Sequence, residues 1–410
     1  MHQKSELDRK TLSSIFYRLK FENKKMTHTW KNFKEKLMGQ KGLLSIGLAD
    51  IVGTGITSLF WLYIASILDP AEYGEVMYLL GIASLVQLIS LIGNSNALTV
   101  YSAKDVKIQS TLFVMSGIAT GISLIVVTVI LERIDTGILA IGYVVFSSVN
   151  SVLLGKKLFS KYSKLVFSQK ILSVIFALGL YFVFDVYGII YGLALSYIPH
   201  LIIFSREFLK TKIDFTLIST RKNFIINNYA MNLTAGLTGT IDKLIIAPVL
   251  GFVLLGNYSL SLQMLTMMMM FSSIIYKYLL PYDASGESNN KIRKITIIIS
   301  IIIAILGVTI LPDVIDWLFP KFSDAKDTIQ IMSIGVVPGT ISILYSSKFL
   351  GMEKSRIVLI TKLVSVISLS GGVFYFGPIY GTVGLGWIVV IVMTWEALFL
   401  FIINQKQKIS

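Results

Sequence analysis

The sequence predicts an all-α integral membrane protein with twelve transmembrane helices in two six-helix lobes, related by a parallel pseudo-two-fold repeat. Three observations lead to this class: extreme apolarity, twelve apolar stretches, and loops that alternate between basic and acidic. Of the 410 residues, 54% are hydrophobic and only 15% are charged, and the mean hydropathy is +0.74. About a quarter of the residues are charged in a soluble domain. This composition excludes a soluble enzyme, a coiled coil and a disordered scaffold.

The polar residues give no sign of a cofactor or metal site. The chain has no cysteine, and its three histidines, His2, His28 and His200, lie far apart in sequence. No disulfide framework, thiolate site or histidine cluster is therefore expected. The net charge of +14 would suggest nucleic acid in a soluble protein. Here the cations lie at predicted membrane edges, so we expect no nucleic-acid partner.

Twelve stretches are long enough to cross a hydrocarbon core, which requires roughly 20 apolar residues per helix. They cover residues 43–68, 76–100, 110–131, 136–154, 165–184, 188–205, 224–250, 254–281, 295–312, 328–350, 357–377 and 383–404. We group them as an N-lobe (43–205) and a C-lobe (224–404), joined by an inter-lobe loop (206–223). A tail (1–42) and a short C-terminal segment (405–410) complete the chain.

Loop charges predict the orientation of the spans. If both termini are cytoplasmic, 30 of the 37 Lys and Arg residues lie on the cytoplasmic side, and the opposite loops hold only Arg133, Lys321 and Lys326. Those opposite loops are also acidic. Because positive charge resists translocation, we expect both termini inside and a multi-pass protein of the plasma membrane.

The tail has the pattern of basic amphipathic helices. Leu12, Ile15, Phe16 and Leu19 recur at helical spacing beside lysines and arginines. Such helices lie on an anionic inner leaflet. A partly disordered, solvated tail is the alternative.

The two halves of the chain contain similar segments at corresponding positions, which indicates an internal repeat. Residues 68–74 join spans 1 and 2, and residues 250–256 join spans 7 and 8, at an offset of 182. Tyr187-Gly188 and Tyr380-Gly381 open spans 6 and 12, at an offset of 193. Six spans per half give both halves the same orientation, as in many two-lobed secondary transporters.

The motifs resemble those of prokaryotic polysaccharide flippases. Residues 67–104 resemble the span 1–2 signature, with the sequence ILDPAEYGEVMYLLGIASLVQLISLIGNSNALTVYSAK. Residues 240–265 resemble the span 7–8 signature, with TIDKLIIAPVLGFVLLGNYSLSLQML. The segments 318–335, 349–356 and 380–389 match the order of the family's C-terminal half. The resemblance covers residues 43–404, and the long basic tail departs from it.

This resemblance implies membership of the multidrug/oligosaccharidyl-lipid/polysaccharide exporter superfamily. It implies two lobes around a central cavity, and a flippase that moves a polyprenyl-(pyro)phosphate-linked oligosaccharide from the inner to the outer leaflet by alternating access. Such a protein is a transporter, not an enzyme, and serves cell-surface polysaccharide biosynthesis. Its partners would be the lipid-linked substrate, membrane lipids and the glycosyltransferases or polymerase of the same pathway.

Ionisable residues inside spans are the candidate site, because an unpaired charge in hydrocarbon is costly. Lys277 and Lys362 are candidates for binding the pyrophosphate; alternatively, each snorkels to the interface. Asp242 and Lys243 are candidates for the outer gate, by resemblance, or each pairs elsewhere. Asp50 is a candidate for coupling to H⁺ or Na⁺, or makes a packing hydrogen bond.

Amides in the spans add candidates for binding sugar hydroxyls. These are Gln87, Asn228 and Asn232, of which the last two share a helical face. Amides also hold membrane helices together, which is the alternative.

Two other functions remain open. An H⁺- or Na⁺-coupled exporter of small molecules would need acidic charge in its cavity, whereas four intramembrane lysines (Lys170, Lys243, Lys277 and Lys362) favour an anion. A membrane glycosyltransferase or polymerase would need acidic catalytic residues and a sizeable loop domain, and no outer loop exceeds about 20 residues.

Overall fold

The computed structural model describes residues 41–92, 95–237, 239–285 and 289–409, without the side chains of 41–51, 231, 235, 281, 284 and 407–409. The predicted tail therefore lies almost wholly outside the described residues. The described part forms sixteen helices and no strand. They are α1 (Lys41–Ile67), α2 (Pro70–Ser90), α3 (Ser95–Ala103), α4 (Gln109–Leu131), α5 (Ile134–Gly155), α6 (Phe159–Leu195), α7 (Ile198–Phe208), α8 (Thr216–Ser219), α9 (Lys222–Leu237), α10 (Ile241–Leu250), α11 (Phe252–Ala284), α12 (Asn290–Thr309), α13 (Leu311–Leu318), α14 (Ser323–Ile334), α15 (Val336–Gly351) and α16 (Ser355–Ile409).

Each predicted span coincides with one helix, part of one, or consecutive helices. Helices α1, α4, α5, α11 and α12 are single spans, whereas spans 2, 7 and 10 each consist of two helices. Spans 5 and 6 lie in α6 and α7, and spans 11 and 12 both lie in α16. Among the described residues, seven helical segments are long and apolar enough to cross a membrane, and α14 with α15 forms a further, bent pair at 46°. The all-helical prediction is confirmed.

The two longest helices each contain a reversal that joins two spans. The backbone breaks at Asp185 in α6 (φ 57°, ψ −142°) and at Gly381 in α16 (φ 57°, ψ −141°). These equivalent residues are 196 apart in sequence, and Gly188 and Gly384 have the same separation. A Cβ atom added at Gly188 would meet the Leu180 carbonyl oxygen, and one added at Gly384 would meet the Phe376 carbonyl oxygen. The structural repeat at this turn therefore has an offset of 196, and the 193 spacing of the Tyr-Gly pairs is out of register by three residues.

The connections between spans lie alternately at two ends of the bundle. The acidic end has the connections near residues 67–70, 131–134, 185, 250–252, 309–323 and 381. The basic end has those near residues 103–109, 155–159, 208–222, 284–290 and 351–355. At the acidic end, Arg133 donates to Glu75 and Asp135, and its guanidinium lies 4.3 Å from the ring centre of Tyr187. At the basic end, Arg293 binds Asp283 at 2.5 Å, and Asp283 also accepts a hydrogen bond from Ser347. Which end faces the cytoplasm stays a prediction.

The start of α2 is fixed by local sequence. The Asp69 carboxylate accepts a hydrogen bond from the Glu72 amide, the Glu72 carboxylate accepts one from the Asp69 amide, and Pro70 occupies the first helical position. This reciprocal cap satisfies two backbone donors and sets where the helix begins. It places Tyr73 and Gly74 in the first turn of α2, at the acidic end, where the lobes meet.

Helix packing separates two lobes. Helix α1 packs on α6, and α2 packs on α4 and α5; in the other half, α15 packs on α11 and α16. The lobes meet chiefly through α2 and α11, supported by α10 against α2 and α9 against α2 and α3. The surfaces of α2 and α11 thus border any space between the lobes.

Candidate functional site

The lobes meet through two glycines at the acidic end. A Cβ atom added at Gly74 would lie 2.0 Å from the Phe252 carbonyl oxygen, and one added at Gly256 would lie 1.9 Å from the Pro70 carbonyl oxygen. No side chain fits at such distances, so the backbones of α2 and α11 are in contact. These glycines close the two repeated segments 68–74 and 250–256. The repeated segments 68–74 and 250–256 therefore pack against each other where the two lobes meet.

Aromatic rings reinforce this closure. Tyr73 is fully buried, and its ring lies edge-on to Trp61 of the same lobe and to Phe322 of the other lobe, with ring centres 6.4 Å and 5.7 Å apart. Lys321 approaches the Ile67 carbonyl oxygen at 3.4 Å. The acidic end is therefore shut between the lobes in this conformation.

A cavity of about 280 Å³ lies between the lobes, bordered by the same tyrosine. Its wall has three aromatic rings, five side chains with hydroxyl or amide groups, and one charged side chain, the cation of Lys243. The aromatic residues are Trp61, Tyr73 and Tyr143; the hydroxyl and amide residues are Ser84, Thr240, Ser259, Gln263 and Thr266. Drug-sized ligands occupy pockets of roughly 300–1,000 Å³, so in this conformation the cavity holds only part of a larger substrate.

Span 7 is broken where it borders this cavity. Helix α9 ends at Leu237 and α10 begins at Ile241, with Gly239 and Thr240 in the cavity wall. The N-terminus of a half-helix carries partial positive charge, which favours an anion. Lys243, in the first turn of α10, adds a full positive charge at the same place.

Asp242 and Lys243 point in different directions. The buried Asp242 carboxylate accepts hydrogen bonds from the Tyr258 hydroxyl at 3.0 Å and from the Lys243 amide at 2.8 Å. The Lys243 side chain lies in the cavity wall, with its ammonium nitrogen 3.4 Å from the Gly239 carbonyl oxygen. Asp242 thus joins α10 to α11, while Lys243 is the residue placed to contact a substrate. A gating role for the pair stays a prediction.

Lys277 lies on the cavity-facing side of α11. It is 18 residues, or five helical turns, after Ser259, and 11 residues after Thr266, so all three share one face. Its side chain is exposed. This face continues the cavity wall toward the basic end, about 16 Å beyond Thr266. Phosphate binding by Lys277 stays a prediction.

Lys362 binds a carboxylate within its own lobe. Its ammonium lies 2.8 Å from both carboxylate oxygens of Glu396, which is buried and also accepts hydrogen bonds from Ser342 and Ser365. The network joins α15 to both spans of α16. In this conformation Lys362 is engaged with Glu396, which weakens the prediction that it binds phosphate.

The three amide candidates make mostly structural contacts. Gln87 donates to the Ser147 hydroxyl at 2.5 Å and joins α2 to α5. Asn228 donates to the Phe224 carbonyl oxygen of its own helix. Asn232 accepts from Asn96 of the other lobe at 3.5 Å. None of the three lies in the cavity wall, and their sugar-binding roles stay predictions. Asp50 lies in α1, but its side chain is outside the described residues.

The sequence-based candidates omit Trp61, Tyr143 and Gln263. Apolar or amphipathic residues in a span give no signal of which neighbour they face, so these three are indistinguishable from packing residues in sequence. The break in span 7 does have a signal: Gly236 and Gly239 interrupt an apolar stretch within four residues. Interrupted spans commonly mark transporter binding sites.

Comparison with known proteins identifies the fold. No protein-family model and no curated protein sequence matches the chain. Among solved structures, the chain is similar to the lipid II flippase MurJ in an inward closed conformation (TM-score 0.74, 12% identity, 88% of this chain and 87% of that one). It is also similar to a multidrug resistance MATE family transporter of the MOP superfamily, both inward-facing (TM-score 0.65, 15% identity, 87% and 94%) and outward-facing (0.58, 16%, 90% and 95%).

These likenesses cover most of both chains, so the fold is that of MOP superfamily transporters, and the predicted two-lobed, twelve-span architecture is confirmed. The MOP superfamily is the one that the sequence motifs resemble.

Proposed function

We propose that this protein translocates a polyprenyl-(pyro)phosphate-linked oligosaccharide across the membrane by alternating access. The observation that carries the proposal is the composition of the inter-lobe cavity: aromatic rings, hydroxyl and amide groups, and one cation at a half-helix N-terminus. One of the similar structures is a lipid II flippase, so this fold serves lipid translocation in at least one protein.

Each part of the cavity suits one part of such a substrate. Aromatic faces and hydroxyl or amide groups suit a sugar, whose ring has both apolar and hydrogen-bonding surfaces. A lysine ammonium is a compact charge that binds phosphate. Lys243 and the first turn of α10 would hold the phosphate in the cavity, and Lys277 would contact it nearer the basic end. The polyprenyl chain would stay in the bilayer.

The proposal is tested with the purified protein in proteoliposomes that contain a fluorescent polyprenyl-diphosphate-linked sugar. Translocation is measured as the fraction of label that an external quencher reaches over time. We expect the wild type to translocate this lipid. Lys243→Ala should slow transport at least tenfold and Lys243→Arg should retain most of it, because the charge is kept. Lys294→Ala, which removes an exposed lysine outside the cavity wall, is the control. Equal activity of Lys243→Ala and wild type would overturn the site.

An H⁺- or Na⁺-coupled exporter of small molecules is the second candidate. It is favoured by the small cavity volume and by the likeness to multidrug transporters. The charge of Lys243 opposes cationic drugs. Vesicles with an imposed H⁺ or Na⁺ gradient distinguish the two functions: gradient-driven movement of a small organic molecule, without movement of the lipid-linked sugar, would establish the exporter.

A further inference from the structure

The exposed face of α6 carries lysines in its first turns and apolar side chains in the turns that follow. Lys157, immediately before the helix, and Lys161 and Lys164 border a groove of about 620 Å³ at the basic end, with Ser160 and Ser168 beside them. On the same face, Ile171, Ile175 and Phe182 are exposed. Residues 161, 164, 168, 171, 175 and 182 lie within about 80° of one another around the helix axis.

The length of this face matches the thickness of a membrane. Lys161 and Phe182 are 21 residues apart, which is about 32 Å along the helix, close to a hydrocarbon core of about 30 Å. The lysines therefore lie at one membrane surface, and the isoleucines lie at the depth of the acyl chains of the adjoining leaflet.

The lysines of this face carry charges that no described carboxylate neutralises. In the described part of the chain, no carboxylate is paired with Lys157, Lys161 or Lys164. Glu207, the carboxylate buried at this end of the N-lobe, already binds Lys156 and Lys210. Three cations thus border a groove whose lining also includes the apolar side chains of Leu158 and Leu165.

This face points away from the space between the lobes. On the opposite side of α6, Lys170 lies against Gly53 of α1, the helix that supplies Trp61 to the cavity. Lys170 follows Lys161 by nine residues, which is half a turn around the axis. A substrate that enters between the lobes therefore does not pass along this face.

We propose that the α6 face binds a resident anionic phospholipid of the adjoining leaflet. Its phosphate head group lies in the groove among Lys157, Lys161 and Lys164, and its acyl chains lie along Ile171 and Ile175. Free phosphate would contact only the lysines, whereas a phospholipid contacts both the lysines and the apolar side chains of the face. This site is separate from the cavity and does not depend on the proposed function.

The test is native mass spectrometry of the full chain titrated with phosphatidylglycerol or phosphatidylcholine. Lys157→Gln/Lys161→Gln/Lys164→Gln should bind phosphatidylglycerol at least about tenfold more weakly than wild type, because each lysine near a membrane surface adds to the attraction for anionic lipid. The control is Lys104→Gln/Lys107→Gln/Lys291→Gln, which removes the same charge from other exposed sites at the basic end, and it should bind like wild type. Equal losses in both triple variants would overturn the site, as would equal binding of phosphatidylcholine by wild type.

A second measurement needs no variant. Hydrogen exchange of the wild type in phosphatidylglycerol nanodiscs should be slower at residues 157–168 than in phosphatidylcholine nanodiscs, by several-fold. No difference at this segment would overturn the proposal. In phosphatidylcholine nanodiscs, polyprenyl phosphate added in equimolar amount should leave exchange at this segment unchanged; slower exchange would show that the face binds the lipid carrier and not a resident phospholipid.

Discussion

Two intramembrane lysines lie in different surroundings. Lys362 is held by Glu396, whose carboxylate is buried and also hydrogen-bonded by two serines. Lys277 is exposed, on the face of α11 that borders the cavity. Loss of Lys362 would leave a buried carboxylate without its cation, whereas loss of Lys277 removes a charge from an exposed position. Substitution of Lys362 should therefore lower the stability of the protein more than substitution of Lys277 does.

We predict that Lys362→Ala destabilises the protein more than Lys277→Ala does. Removing one partner of a buried ion pair costs 3–5 kcal/mol; because the Lys362 side chain is 37% exposed, we expect about 1–3 kcal/mol. Thermal unfolding in detergent measures the difference, and Lys362→Met/Glu396→Gln should recover part of the loss. Lys277→Ala should unfold closer to the wild-type temperature than Lys362→Ala does, and should transport the lipid-linked sugar more slowly than the wild type. A stable Lys362→Ala variant with impaired transport would instead support phosphate binding by Lys362.

The sequence locates these charges but not their partners. Lys362 and Glu396 are 34 residues apart in one helix, and they meet only because α16 folds back at Gly381. Hydropathy reports where a residue lies along the membrane normal, and it carries no information on which neighbouring span it faces. Asp242 and Lys243 show the limit of local geometry: their divergence follows from helix geometry, but the contact with Tyr258 does not.

At the scale of the element, the repeat places one backbone conformation at two chemically different residues. Gly381 adopts φ 57° without steric cost, whereas Asp185 carries a Cβ atom in the same conformation. A non-glycine residue at such dihedral angles costs of the order of 1–3 kcal/mol. The N-lobe reversal is therefore strained relative to its counterpart in the C-lobe.

We predict that Asp185→Gly stabilises the protein. Relief of strain should exceed the added entropy of the unfolded chain, for a net gain of about 1 kcal/mol. The unfolding temperature in detergent measures this gain. Asp185→Ala is the matched control, since alanine keeps the Cβ atom and should give no comparable gain. If both variants were equally stabilised, loss of the exposed carboxylate and not backbone strain would be the cause.

The inter-lobe loop is attached to the N-lobe at the basic end. Ser110 and Thr111, at the start of α4, hydrogen-bond to Phe208, Thr211 and Asp214, and Gln109 donates to the Glu207 carbonyl oxygen. Burial would raise the pKa of Glu207, but hydrogen bonds from Lys156 and Lys210 outweigh it and hold the pKa below its ordinary value. The carboxylate therefore stabilises this attachment while it is ionised.

We predict that the attachment weakens in acid. A folded-state pKa below the unfolded value gives stability that is present above the unfolded pKa, near 4.3, and is lost as the pH falls through the folded pKa. Hydrogen exchange of residues 206–215, corrected for intrinsic rates, should lose protection below about pH 4.3. Glu207→Gln should be less protected at neutral pH and should lose less protection in acid than the wild type does. Asp105→Asn, at an exposed carboxylate of the basic end outside this loop, should keep the wild-type profile.

At the scale of the whole molecule, span positions follow from hydropathy and loop charge because both are local properties of the chain. The lobes and their sequence repeat also follow, since an even number of spans gives both halves one orientation. The contact between the repeated segments does not follow from the sequence. The closeness of Gly74 to Phe252 and of Gly256 to Pro70 depends on how the lobes are tilted in this conformation. Short outer turns favour glycine in any membrane protein, so the paired glycines alone do not predict a closed interface.

We predict that Gly74→Ala and Gly256→Ala open the acidic end. A methyl group at either position would meet a backbone carbonyl oxygen at about 2 Å, so the lobes can accommodate it only by separating there. If the lobes rock about the cavity, the basic end should close as the acidic end opens.

The chain has no cysteine, so spin labels can be placed at single sites without background. The labelled pairs are Ala71→Cys with Val253→Cys at the acidic end, and Lys107→Cys with Lys291→Cys at the basic end.

Electron–electron distance measurements in nanodiscs should show a longer acidic-end distance and a shorter basic-end distance in both alanine variants. Gly117→Ala is the control, because a Cβ atom there meets nothing within 4 Å, and it should keep the wild-type distances. Transport of the lipid-linked sugar should fall in Gly74→Ala and Gly256→Ala, since a lobe pair that cannot shut at the acidic end cannot complete the cycle. Lengthening at both ends would indicate that the lobes separate rather than rock. Unchanged distances at both ends would mean that helices α2 and α11 absorb the methyl group locally, and that the glycine contact does not control the conformation.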